Sequence, residues 1–299
     1  MINNYIIQER LVKLAASFIP FKTRRRRFRQ IFQDKINYKK YLHAQNYLKK
    51  YNSNEKYPAI CTDINPKKLP IWVLWLQGEN EAPPLVKQCI KNIKKYNSGR
   101  EVRVLTNDNI FQYIGLPDFI IDKKRKGIIS NTHFSDIIRV CLLEKYGGTW
   151  IDATVLLTGE IPEVILMQDF FAFSIPVSSM SYHFHLFSSW FLHVKPEHVF
   201  IKNIKNSLFK YWEKEDALVD YFTLHLMAFN IIQGDQLFID IWENTLNISN
   251  EAPHALQKRL NDKFDPVVFE EIKKQSTIHK LTYKINNRKQ GSFFDEFCR

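Results

Sequence analysis

Glycine is scarce in this chain, with nine among 299 residues. Where two stand together, at Gly147 and Gly148, a tight backbone turn is expected. Cysteine is scarcer still. The four, Cys61, Cys89, Cys141 and Cys298, are far apart and form no C-x-x-C pair, which argues against a disulfide framework or a cysteine zinc site and for buried free thiols. No run approaches the roughly 18 to 20 apolar residues that cross a bilayer. The start lacks a cleavable signal pattern, so a cytoplasmic location is expected. Acidic residues are outnumbered, 31 against 43 basic, leaving a formal charge of +12. That balance favours anionic partners: nucleotide diphosphates, acidic lipid headgroups, acidic glycans or nucleic acid.

What is present is ordinary for a folded protein, with 45% hydrophobic and 25% charged residues and no low-complexity tract. From Asn4 to Phe18, the residues Ile7, Leu11, Leu14 and Phe18 recur at helical spacing and are followed by Arg24, Arg25, Arg26, Arg27 and Arg29. An amphipathic helix beside a polybasic cluster suits an anionic membrane surface. The competing reading is a solvated basic turn between two helices. A nucleic-acid patch has only the charge behind it, and none is expected. A second helical stretch covers about Phe28 to Tyr51, and the composition changes near residue 65. The expected division is a helical, basic N-terminal extension over 1–65 and a main domain over 66–299.

The main domain opens with LPIWVLWLQG, a buried strand running into a turn at Gly78. Pro83 and Pro84 suit the first turn of a helix whose apolar positions are Val86, Cys89, Ile90, Ile93 and Tyr96. The strand EVRVLT follows, then a short helix within TNDNIFQYIGLP. Strand, helix, strand, helix is the alternation of an α/β nucleotide-binding domain.

The most informative segment is SDIIRVCLLEKYGGTWIDATV, residues 135–155. Phe134, Ile137, Ile138, Cys141 and Leu142 form the apolar stripe of a helix that stops at Gly147. Asp136 and Arg139 are three apart and share a face of it. A strand over Thr149 to Leu156 then places Trp150, Asp152 and Thr154 on one side. A carboxylate with an arginine beside it can hold a divalent cation and neutralise a leaving diphosphate; Mn²⁺ or Mg²⁺ suits such oxygen ligands. Taken singly, each residue reads more readily as part of a surface ion pair or as a strand end; together they point to a site.

This segment resembles the central signature of the capsular polysaccharide synthesis proteins, related to glycosyltransferase family 32, and IWVLWLQGENEAPPLVKQCI resembles that family's opening strand, turn and helix. The resemblance covers roughly residues 69–165. It implies a GT-A, Rossmann-like domain that binds a nucleotide sugar, with a mainly helical C-terminal half. It also implies retaining transfer onto a bacterial surface glycan or lipid-linked glycan acceptor, on the inner face of the membrane. Carried onto this chain, Asp136, Arg139 and Asp152 would be catalytic. Trp72, Trp75, Gln77, Gly78, Ser135 and Gly148 would join them in holding the donor. Asp152 would stand first in an Asp-x-Asp-like motif whose third position is Thr154, a neutral hydroxyl, so that Asp152, Thr154 and His225 would hold the metal. That departure keeps open a non-catalytic, membrane-docked scaffold as the alternative.

Other candidates carry less. His183, His185 and His193 lack the context of a zinc motif and read as strand histidines. Asp220 could reach donor or acceptor. Trp190 and Trp212 read as core or cleft wall, and Glu79, Glu81, Asp169 and Asp216 show no spacing that marks a glycosidase pair.

Overall fold

The computed structural model describes residues 2–56, 65, 68–176 and 183–298; Cys61 and most of the stretch around the expected boundary near 65 lie outside them. In chain order the elements are helices α1 (Ile2–Ser17) and α2 (Lys22–Leu48), strand β1 (Ile71–Leu74), α3 (Pro84–Lys95), β2 (Val102–Leu105), α4 (Asp118–Arg125), α5 (Asn131–Tyr146), β3 (Gly148–Ile151) and β4 (Val155–Leu157). Then come α6 (Glu163–Leu166), β5 (Phe170–Ser174), β6 (Phe187–Val194), α7 (Val199–Lys214), α8 (Thr223–Gly234), α9 (Gln236–Glu243), α10 (Ala255–Arg259), α11 (Pro266–Gln275), β7 (Ile278–Lys280) and α12 (Phe293–Phe297).

The fold is α/β, and its C-terminal half is mainly helical, as expected. Five strands form a mixed sheet in the order β2-β1-β3-β6-β5. β1 runs parallel to both β2 and β3, while β6 is antiparallel to β3 and to β5. The chain leaves β1 for β2 on one side and returns to β3 on the other. The carboxyl ends of β1 and β3 therefore flank a topological switch point, where open α/β sheets leave a crevice for ligands.

The period-2 alternation of β1 divides the core. Ile71 and Val73 pack on one face with Val86, Ile90 and Ile151, against α3; Trp72 packs on the other with Trp150, Ile137 and Ile138 of α5, and with α7 and α8. Both faces of the sheet are covered, and β1 is apolar on both sides accordingly.

The two glycines determine how α5 meets β3. Gly147 (φ 63°) caps α5, its N–H donating to the Leu143 carbonyl, and Gly148 has φ 101°. A Cβ on Gly148 would lie 2.2 Å from the Pro70 carbonyl oxygen, and one on Gly147 2.6 Å from Pro196. Only glycine permits both the backbone conformation and the close approach.

Three expectations need correction. The strand foreseen over Thr149 to Leu156 is broken: β3 ends at Ile151, residues 152–154 turn with the Val155 N–H donating to the Asp152 carbonyl, and β4 pairs with β7 in a separate two-stranded sheet. The arginine cluster is not a turn but the first two turns of α2, which starts six residues earlier than its pattern suggested; the turn is the short segment around Pro20. The helix foreseen in TNDNIFQYIGLP is a single 3₁₀ turn, Ile110–Gln112, with Asn109 Oδ1 accepting from the Thr106 N–H.

The N-terminal hairpin is fastened at one end. On α2, Gln45 Nε2 donates to Asn230 Oδ1, and Asn230 Nδ2 donates back to the Gln45 carbonyl. Lys40 pairs with Asp220 at 3.2 Å, and Asp220 Oδ1 accepts from the Phe222 N–H at the start of α8. Asp220 is thus a structural brace between α2 and α8, and α1 packs on the other half of α2. No helix among the described residues is long and apolar enough to cross a membrane.

Candidate active site

At the carboxyl ends of β1 and β3 lies a cleft of about 320 Å³, walled by Leu74 to Gln77 after β1, by Asn131, Thr132, Ser135 and Arg139 of α5, by Trp150 and Asp152 to Thr154 after β3, and by Tyr283 after β7. Helix α5 begins here because Ser130 caps it, its Oγ accepting from the His133 N–H. Its polar face then turns to the cleft while Ile137, Ile138 and Leu142 sink into the core.

A connected set of charges stands at the cleft, with Arg139 and Asp152 in its wall and Asp136 and Lys280 paired to them. Arg139 Nη1 donates to Asp136, its i−3 neighbour, and Arg139 Nη2 reaches Asp152 Oδ1 at 3.3 Å. Trp150 stacks on the guanidinium, 4.8 Å from ring centre to Cζ, and its indole N–H donates to the same Asp152 Oδ1 at 2.9 Å. From the far side, Lys280 of β7 places its ammonium 2.9 Å from Asp152 Oδ2 and 2.7 Å from Thr154 Oγ. Register delivers it: β7 pairs with β4 so that Lys280 stands opposite Val155. The Arg139 side chain is 5% exposed, Asp136 13%, Lys280 19% and Asp152 27%, so Asp152 faces the cleft most openly.

The two carboxylates are tuned apart. Burial opposes the charge on Asp152, but Lys280 and Arg139, with the bonds from Trp150 and Lys280, outweigh it and hold this carboxyl below its usual range. For Asp136 burial wins, despite Arg139, and its pKa is raised. Two donors in this region are left over: Arg139 Nε and the Trp75 indole N–H are buried without a partner among the described residues. Buried donors without partners are costly, and a ligand oxygen would relieve them.

Of the residues expected to form the site, Asp136, Arg139 and Asp152 meet as foreseen, and Trp75, Gln77, Ser135 and Thr154 line the cleft. Trp72 does not. It is fully buried on the opposite face of β1, its Nε1–H donating to the Gly147 carbonyl and its ring beneath Arg103. Trp75 stands just past the end of β1, where the chain enters the cleft wall. Gly148 is likewise structural, held against Pro70, and Gly78 shapes the turn with φ 89° rather than lining the cleft. His225 packs on the rings of His185, Phe187 and Phe222 and is not in the cleft wall. His193 bonds Thr149 in the core, and Trp190 and Trp212 are core residues.

The residues missed were Lys280 and Tyr283. Lys280 lies 128 positions beyond Asp152, in a strand of three residues with no motif around it. A lone lysine in an apolar segment is too common a pattern to single out.

The donor set does not suit Mn²⁺ or Mg²⁺ at the expected position. No group of three or more His, Cys, Asp or Glu side chains gathers for a metal among the described residues. Asp152 already has both oxygens engaged, and the Thr154 hydroxyl is engaged by the same ammonium that holds Oδ2. A divalent cation about 4 Å from that ammonium would be repelled by about 8 kcal/mol at an effective dielectric of about 20. Ammonium and metal are therefore alternatives for one place.

Fold and cleft together define an α/β protein with a charged ligand crevice at a switch point. A family described as capsular polysaccharide synthesis protein matches residues 18–297, and the chain belongs to that family. Membership ties it to capsule biosynthesis. The match reaches well beyond the two blocks that carried the resemblance, into α2 and through β7. No curated protein and no solved structure matches the chain.

Proposed function

We propose that this chain is a glycosyltransferase of GT-A type that moves a sugar from a nucleoside-diphosphate donor to a capsular or lipid-linked glycan. The observation that carries the reading is that Asp152 and Arg139 line one cleft at the carboxyl ends of the parallel strands, with Lys280 paired to Asp152. Trp75 and Gln77 offer a wall and polar atoms for the donor's base and ribose. Arg139, oriented by Asp136 and Trp150, faces the diphosphate.

In the transfer, the bond between the anomeric carbon and the diphosphate oxygen breaks and its electron pair stays on that oxygen. Fixed cations held ready for that charge lower the barrier, because they need no reorganisation as it develops. The acceptor hydroxyl bonds to the anomeric carbon on the face the nucleotide leaves, and its proton passes to the departing oxygen, so configuration is retained. Such a step needs no strongly basic side chain.

The N-terminal hairpin supports a membrane setting for the acceptor. Phe18 is 81% exposed, Phe21 61% and Leu14 59%, beside Arg24, Arg26, Arg27 and Arg29 on the first turns of α2. Basic side chains oppose the helix dipole at that end, and no acidic residue in the first turn offsets them. Apolar side chains flanked by arginines match an anionic bilayer surface, where a lipid-linked acceptor would be met.

The test is release of nucleotide from a panel of nucleotide sugars, with the anomeric configuration of the product read by NMR. Wild-type protein should release nucleotide from at least one donor, and Asp152→Ala should lower the rate by about 10²- to 10³-fold, the scale for loss of one preorganised electrostatic group. Equal background rates for both proteins across the panel would sink the proposal and leave the scaffold reading.

A further inference from the structure

We infer that Lys280 is the built-in cation of this site: its ammonium takes the position of a divalent metal and binds the donor's diphosphate directly. The inference rests on the transferase reading above.

Three observations support it. The ammonium bridges Asp152 Oδ2 and Thr154 Oγ, at 2.9 and 2.7 Å, the two oxygens that an Asp-x-Asp-like pair would present to a metal. One of those positions carries a hydroxyl, which accepts a hydrogen bond from an ammonium but contributes no charge to a divalent ion. An ammonium has three protons and two are used here, which leaves the third for a ligand oxygen. The nearby free donors, Arg139 Nε and Trp75 Nε1, likewise favour an oxygen-rich anion.

Charge balance gives the same answer. Asp136 and Asp152 offset Arg139 and Lys280, so the cleft holds its cations in place without repelling itself. A diphosphate entering beside them finds oriented positive charge rather than a pair of bare carboxylates. In a metal-dependent site the carboxylates must remain free to capture the ion; here both oxygens of Asp152 are occupied.

Thr154 and Lys280 thus form a matched pair. A second carboxylate at 154 would call for a metal, and the neutral hydroxyl beside a lysine does not. The substitution that weakened the family's motif in the sequence is compensated from a strand 126 positions away.

The test is calorimetric titration of the full chain with UDP, GDP and CDP, in EDTA and again with Mn²⁺. Wild-type protein should bind at least one of the three in EDTA, with an affinity that Mn²⁺ changes by less than about threefold. Lys280→Ala should weaken that EDTA-resistant binding at least tenfold, and Lys280→Arg should restore most of it. Binding by wild type that appears only with Mn²⁺ would overturn the role of Lys280 while leaving the transferase reading intact, and this arm needs no variant to fold. Undiminished binding by Lys280→Ala in EDTA would overturn it equally. Failure of all three diphosphates under both conditions would instead remove the transferase reading, and this inference with it.

Discussion

The cleft and the N-terminal hairpin are both strongly charged, yet they handle charge in opposite ways. In the cleft, Arg139 and Lys280 are mostly buried and each is matched by a carboxylate. On the hairpin, Arg24, Arg26, Arg27 and Arg29 are exposed and sit at the end of α2 where the dipole disfavours them. Apolar residues follow the same contrast: those of α5 are inside, whereas Ile7, Leu11 and Leu14 on α1, and Phe18 just after it, face solvent. Balanced buried charge fixes a geometry. Unbalanced exposed charge with apolar neighbours attracts a surface.

The sharpest way to separate the two regions is acid. Burial pushes His193 down to about 3 and His185 and His279 to about 4, and all three belong to the body, not the hairpin. A depressed histidine means that the unfolded chain binds the proton more readily, so this stability is full above the unfolded pKa near 6.5 and is lost as pH falls below it. At pH 5 each of the three contributes about 2 kcal/mol to the loss. The melting temperature should therefore drop well before carboxylates titrate, while vesicle binding by the arginines should not change between pH 7 and 5. A melting temperature flat over that range would contradict the buried, neutral histidines.

Next in size is Arg139→Ala. It strips the shared partner from Asp136 and Asp152, and an uncompensated buried carboxylate costs about 3 to 5 kcal/mol. Chemical denaturation should show that loss, with Arg139→Lys recovering only part because an ammonium cannot reproduce the fork. A loss under about 1 kcal/mol would mean that the cleft charges are solvated like those of the hairpin.

The smallest effect expected is at the surface. Replacing Arg24, Arg26 and Arg27 together with Gln should weaken binding to phosphatidylserine vesicles by about 3 kcal/mol, at about 1 kcal/mol per basic residue, and should leave nucleotide binding unchanged. Cosedimentation at two salt concentrations would check it. Equal binding to neutral and anionic vesicles would remove the membrane from the account of the hairpin.

Much of this arrangement was legible in the chain. Local rules were enough for β1, α3, β2 and α5, because apolar spacing and proline or glycine punctuation act within a few residues. The pairing of Asp136 with Arg139 followed from helical spacing alone. The end of β3 was harder to read, since the alternation continues through Asp152 and Thr154 while the backbone changes sheets. Trp72 was misplaced because both tryptophans look alike in sequence, and only where β1 ends and which side Trp72 packs on tell them apart.

By itself the sequence determined the α/β alternation, the glycine turn between α5 and β3, the carboxylate and arginine on one helix face, and the basic apolar N-terminus. Each depends on residues within a turn or a strand of one another. Only the tertiary structure decided that Lys280 closes the site, that Trp72 is core and Trp75 wall, and that the α1 stripe faces solvent. These depend on strand pairing and packing between separate segments, up to 128 residues apart for Lys280 and Asp152, where no local pattern carries the information.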